Sequence, residues 1–165
     1  MAESQVKPIL VLGVGNELLC DEGVGVHLVR RLSAAGLPPQ AEAVEGGTCG
    51  ADLVDDLPGR RSLIVVDCAD MGIAPGTVRE FSVEQLAGPD EVSASLHDVG
   101  LMETLLMARL LGECPDDIVV FGVQPGNLSW GTSLSPAVLR ALPDLTACVL
   151  DAVFRRLAVA EPSGD

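Results

Sequence analysis

The chain has 165 residues, 48% of them apolar, with 24 acidic against 10 basic side chains and a formal charge of −14. One compact domain is expected over residues 1–165, burying roughly 70% of the unfolded chain's surface; the apolar content excludes disorder, and the charge argues against a nucleic-acid backbone or an anionic membrane as partner. With no Tyr, one Trp and three Phe there is no stacking platform for single strands, and no apolar run approaches the ~20 residues of a membrane span.

Met1–Lys7 carries one Lys and leads straight into a strand-like run, so no signal peptide is expected, and about 1–6 and 160–165 read as loose ends. Pro8–Gly15 (PILVLGVG) is a short apolar run that predicts a strand buried on both faces. Glu22–Ala35 follows as a helix with Gly25, Leu28, Val29 and Leu32 on one face and His27, Arg30 and Arg31 off it. Ala41–Glu45 is a shorter strand stopped by Gly46-Gly47, and Ala51–Leu57 a short helix ended by Pro58-Gly59. Ser62–Asp67 (SLIVVD) is a buried strand, and Thr77–Phe81 alternates like an edge strand. Ser95–Leu111 is a helix opened by a Ser95–Asp98 capping box, with a stripe of Val99, Met102, Leu106 and Leu110. Asp117–Val123 (DIVVFGV) is a further buried strand; Ser135-Pro136 opens a helix that Pro143 breaks or kinks, and a last helix runs to about Ala158.

Apolar strands alternating with amphipathic helices predict an α/β fold: a mostly parallel twisted sheet of about five strands with helices on both faces. Ligands of such sheets sit at the carboxyl ends of the strands, near the topological switch point. The residues following each strand are therefore the candidates for chemistry.

After the first strand, Gly13-Val14-Gly15 begins like a dinucleotide fingerprint, and Glu45 stands where a ribose-binding acid would. Leu18 occupies the third glycine position, however, and Asp21 and Glu22 would repel a pyrophosphate at that helix start. Asp21 is the better candidate for a helix cap and Glu22 for function, with Glu17 as a rival. Asp67 directly follows four apolar strand residues, a position that is costly for a carboxylate unless it is solvated, paired or coordinated; Asp70 reads as a loop acid. Of the two histidines, His27 reads as a solvated helix residue, whereas His97 falls in the first turn of a helix, where neutral imidazole, the metal-binding form, is favoured. Glu22, Asp67 and His97 together form an O,O,N set suited to zinc, nickel, iron or manganese, with positions left open. Five scattered cysteines (Cys20, Cys49, Cys68, Cys114, Cys148) without a C-x-x-C read as small buried hydrophobes in a reducing cytoplasm. There is no G-x-S-x-G elbow, and Cys20 is flanked by acids that would raise a thiol pKa.

The run ILVLGVGNELLCDEGVGVHLVRRL (9–32) resembles the N-terminal signature of [NiFe]-hydrogenase maturation proteases, and the similarity continues through EGGTCG (45–50), LIVVDCAD (63–70), SLHDVGL (95–101) and FGVQPGNLSWGTSLSPAV (121–138). The resemblance implies a three-layer, phosphorylase/hydrolase-like sandwich and an endopeptidase that removes the C-terminal extension of the hydrogenase large-subunit precursor after nickel insertion. It implies Glu22, Asp67 and His97 as ligands, with the nickel supplied by the substrate and cadmium or zinc as surrogates in crystals. The family often carries Asp-Gly-Gly-Thr where this chain has Glu45-Gly46-Gly47-Thr48, one methylene longer at the acid. Glu45 and Asp21 stand open as general bases. The alternatives are a nucleotide-binding α/β domain and a non-catalytic chaperone of the nickel site.

Overall fold

Six consecutive residues, Ile9–Val14, are buried along their whole length in strand β1, as an apolar run without polar alternation requires of a strand covered on both sides. The computed structural model describes residues 6–48, 51–86 and 101–160. Strand β2 (Ala41–Gly47) and strand β3 (Ser62–Cys68) flank β1 in parallel; β5 (Asp117–Val123) extends the sheet in parallel beside β3, and β4 (Val78–Ser82) closes the edge antiparallel to β5. The spatial order is β2-β1-β3-β5-β4.

The two faces carry separate cores. Ile9 and Val11 of β1 and Ile64 and Val66 of β3 pack with Val24, Leu28 and Leu32 of helix α1 (Val24–Ala35) and with Val138, Leu145 and Val149 of the long C-terminal helix, α4 (Pro136–Ala160). The alternate residues Leu10, Leu12, Leu63 and Val65 pack on the other side with Leu53 and Leu57, with Leu86 of the one-turn helix α2 (Val83–Leu86), and with Leu101 and Leu105 of α3 (Leu101–Leu111). The expected three-layer α/β sandwich is thus what forms.

Several elements differ from expectation. The turn before α1 is a 3-10 helix, Cys20–Gly23, so the α-helix begins at Val24 rather than Glu22, and residues Ala51–Asp56 are 3-10 as well. Strand β2 runs on through Gly46-Gly47, which a strand paired along β1 tolerates. In α3 the buried residues are Leu101, Thr104, Leu105 and Ala108, and the expected Leu106 and Leu110 are exposed. LMETLLMARLL is apolar on nearly every side, so packing rather than periodicity chooses its phase. The capping box and Val99 lie outside the described residues. Of the four described cysteines, all free, Cys20 is buried, Cys68 and Cys114 are half-buried and Cys148 is exposed, so burial accounts for fewer of them than expected.

Helix α4 is continuous through Pro143. The proline lies on the exposed side of the helix, as does Leu139, whose carbonyl is the one deprived of a helical donor. Solvent can take the place of that bond, which is why the helix persists. Pro143→Ala should restore the bond and raise stability by about 1 kcal/mol; an unchanged or lowered melting temperature would count against this account.

Candidate active site

Parallel pairing sets Gly13 of β1 opposite Val66 of β3, so Asp67 lies level with the end of β1. Here the chain leaving β1 turns over one face into α1, while the segment entering β3 has crossed the other; this is the switch point of the sheet, the place where ligands of such folds bind.

Glu22 is brought to this rim by a tightly folded turn. Asn16 starts it, its Oδ1 accepting from the Leu18 N–H at 3.0 Å and its carbonyl from the Leu19 N–H at 3.1 Å. Gly15, at φ +133°, lies so close under the returning chain that a Cβ would collide with the Glu22 carbonyl. Gly25 is pressed in the same way between strand ends: a Cβ there would overlap the Val14 carbonyl oxygen and stand 2.5 Å from that of Val66. These two contacts explain in steric terms why glycines alternate through this loop, and they seat Glu22 beside the end of β3.

Asp67 is 7% exposed, and its Oδ1 accepts the Cys68 N–H at 2.7 Å. Glu22 is partly exposed. Burial pushes the Cys68 thiol far above its ordinary pKa, and the negative charges of Asp67, Glu22, Asp21 and Asp70 push it further the same way. Four carboxylates thus act on one sulfur, and the thiol stays protonated. Among the described residues no three His, Cys, Asp or Glu side chains are grouped to hold a metal ion. The third expected ligand, His97, lies outside them.

Asp21 is not a helix cap: the termini of the 3-10 turn and of α1 have no side-chain cap. Its carboxylate, 1% exposed, accepts the N–H groups of Gly126 and Asn127 at 2.8 Å each on Oδ2 and of Ser135 at 2.6 Å on Oδ1. Burial works to raise its pKa, but the hydrogen bonds from Ser135, Gly126 and Asn127 outweigh it and hold the carboxyl below its ordinary value. Backbone bonds add to this clasp: Cys20 N–H to the Gly131 carbonyl at 2.8 Å, Gly131 N–H to Leu18 at 2.9 Å and Asp21 N–H to Asn127 at 3.0 Å.

The other acids are engaged elsewhere. Arg30 donates to both oxygens of Glu45, at 2.8 and 3.2 Å, and reaches Glu17 at 2.7 Å, all three side chains being roughly half exposed. Asp70 is exposed and accepts from the Gly72 N–H and the Gln124 Nε2. His27 is half-buried on α1. Gln124, which directly follows β5, has a role that spacing did not disclose. Its buried amide oxygen accepts from the Met71 N–H at 2.6 Å and fixes the loop that follows Asp67. A lone amide ending an apolar strand was the available signal.

An α/β sheet with acidic side chains gathered at its switch point defines the general class. The family model described as hydrogenase maturation protease matches residues 26–152. The chain is 39% identical over 135 residues to the hydrogenase expression/formation protein HupD of Rhodobacter capsulatus, a match covering 79% of this chain and 63% of that protein. It is 38% identical over 132 residues to the hydrogenase 2 maturation protease of Escherichia coli, covering 79% of this chain and 80% of that one. The solved hydrogenase maturating endopeptidase HybD from E. coli superposes with a TM-score of 0.79 at 35% identity, covering 90% of this chain and 93% of that one. The chain belongs to the hydrogenase maturation protease family.

Proposed function

We propose that this chain is the endopeptidase that removes the C-terminal extension of a [NiFe]-hydrogenase large-subunit precursor, and that it acts after nickel insertion, with the nickel carried by the substrate. The observation that carries this reading is that Glu22, on the turn following β1, and Asp67, near the end of β3, both act through their charge on the one Cys68 sulfur at the carboxyl rim of the sheet. Two hard oxygen donors at one acidic rim suit a divalent cation, and an imidazole from His97 would complete the O,O,N set. A cation held there would polarise the scissile carbonyl. Asp67, buried and anchored by the Cys68 N–H, would be the fixed donor, and Glu22, partly exposed, the one within reach of solvent. Neither Asp21 nor Glu45 is poised as the general base, because backbone donors engage both oxygens of the first and Arg30 both oxygens of the second. A precursor without nickel would lack the bridge to these ligands and bind weakly.

The free thiols support a reducing compartment, and we assign the protein to the cytoplasm. No helix among the described residues is long and apolar enough to cross a membrane.

The test is the mass of nickel-loaded precursor incubated with and without the protein. A shortened product is expected; an unchanged mass would favour the non-catalytic chaperone. His97→Ala should abolish cutting while leaving the unfolding transition in place, and retained activity would refute the assigned role. Cadmium should raise the melting temperature and NAD should not; the reverse pattern would favour a nucleotide-binding domain.

A further inference from the structure

Two apolar side chains and the chain's one tryptophan stand in solvent at the same rim as Glu22 and Asp67. Trp130 is 81% exposed, Leu18 51% and Leu128 50%. They belong to the two loops that Asp21 joins, and the Leu19–Gly131 bridge and the Gly131 N–H bond to the Leu18 carbonyl set their backbones side by side. Asn127 stiffens the second loop further, its Oδ1 accepting the Ser129 N–H at 3.0 Å. The platform is therefore a hydrogen-bonded framework that presents apolar side chains outward, with little ordering entropy left to lose on binding.

Its chemistry differs from that of the remaining chain. Between Asp117 and Arg140 there is no Asp, Glu, Lys or Arg, in a chain of charge −14. An exposed, charge-free loop tipped with Trp matches the composition of an interface core, from which charges are depleted and in which aromatics are enriched. Leu18 precedes by two residues the 3-10 turn that carries Glu22, so the platform adjoins the loop of the candidate active site.

We propose that Trp130, Leu128 and Leu18 form the docking platform for the precursor polypeptide, taking an uncharged, apolar segment adjacent to the cleaved bond and setting KM rather than turnover. This rests on the endopeptidase reading above and names the surface through which that substrate is held.

The test uses the single tryptophan. The protein is prepared with 5-fluorotryptophan, and its one fluorine resonance is followed as unlabelled nickel-loaded precursor is added. In parallel, processing by Trp130→Ser and Leu128→Ser is measured against wild type; both sites are exposed, so folding should be intact. The expected result is a shifted resonance, a KM raised on the order of 30-fold for Trp130→Ser and a kcat within about twofold. Normal KM in both variants with an unmoved resonance would overturn the platform while leaving the endopeptidase reading intact. A shifted resonance without cutting by wild type would support the platform and sink the endopeptidase reading; neither shift nor cutting would sink both. A resonance that moves with protein concentration alone would show that the face pairs two copies of this chain, and would overturn the proposal.

Discussion

Asp21→Ala should lower stability by about 3 kcal/mol or more, read as a shift in the urea midpoint. Hydrogen bonds to a charged group contribute roughly 1.5–3 kcal/mol each, and the substitution also leaves buried N–H donors without acceptors. Three such donors, on Gly126, Asn127 and Ser135, converge on this one carboxylate. Asp21→Asn should recover part of the loss, since the amide oxygen still accepts while its NH2 opposes the remaining donors. The effect has a definite pH dependence. The folded-state pKa lies below the ordinary value of about 3.9. The contribution of Asp21 is therefore fully present above that value and fades as pH falls through the folded pKa, so wild type and Asp21→Ala should converge in strong acid. An unchanged midpoint in Asp21→Ala at neutral pH would refute the clasp.

Gly25→Ala should cost about 2–4 kcal/mol and abolish processing even where the protein remains folded. A methyl group there meets backbone atoms of Val14, which ends β1, and of Val66, next to Asp67 in β3. Overpacking against flexible side chains typically costs 1–3 kcal/mol; here backbone must move, and the cost lies toward the upper end. The cheapest relief is to lift the head of α1 from the sheet, which withdraws Glu22 from Asp67. Circular dichroism should show retained helix alongside a lowered melting temperature, with the precursor mass unchanged. Normal cutting by Gly25→Ala would show that the seating of Glu22 is not what the site depends on.

Much of this architecture was legible beforehand. Ile9–Val14, Ser62–Cys68 and Asp117–Val123 are buried on both faces, and such strands announce themselves as unbroken apolar runs. From the parallel sheet the rule about strand ends led to Glu22 and Asp67. The phase of α3 was not legible, because a helix apolar on opposite sides carries two stripes and only its neighbours choose between them. The role of Asp21 was hidden for another reason. An acid at a helix start has an adequate local explanation as a cap, whereas its actual donors come from a loop more than a hundred residues further along the chain. Arg30 lies off the apolar face of α1, as its spacing indicates; what spacing did not show is that β2 brings Glu45 within its reach.

That long reach bears on biosynthesis. The bond from Ser135 to Asp21 closes a separation of 114 residues, and those from Gly126 and Asn127 close 105 and 106. While a ribosome is still extending the chain, β1 and α1 can emerge, but the carboxylate at their junction has no partners until the segment beyond β5 has followed. The clasp is thus completed only after Ser135 has emerged, and a shorter nascent segment lacks the framework that holds the turn carrying Glu22.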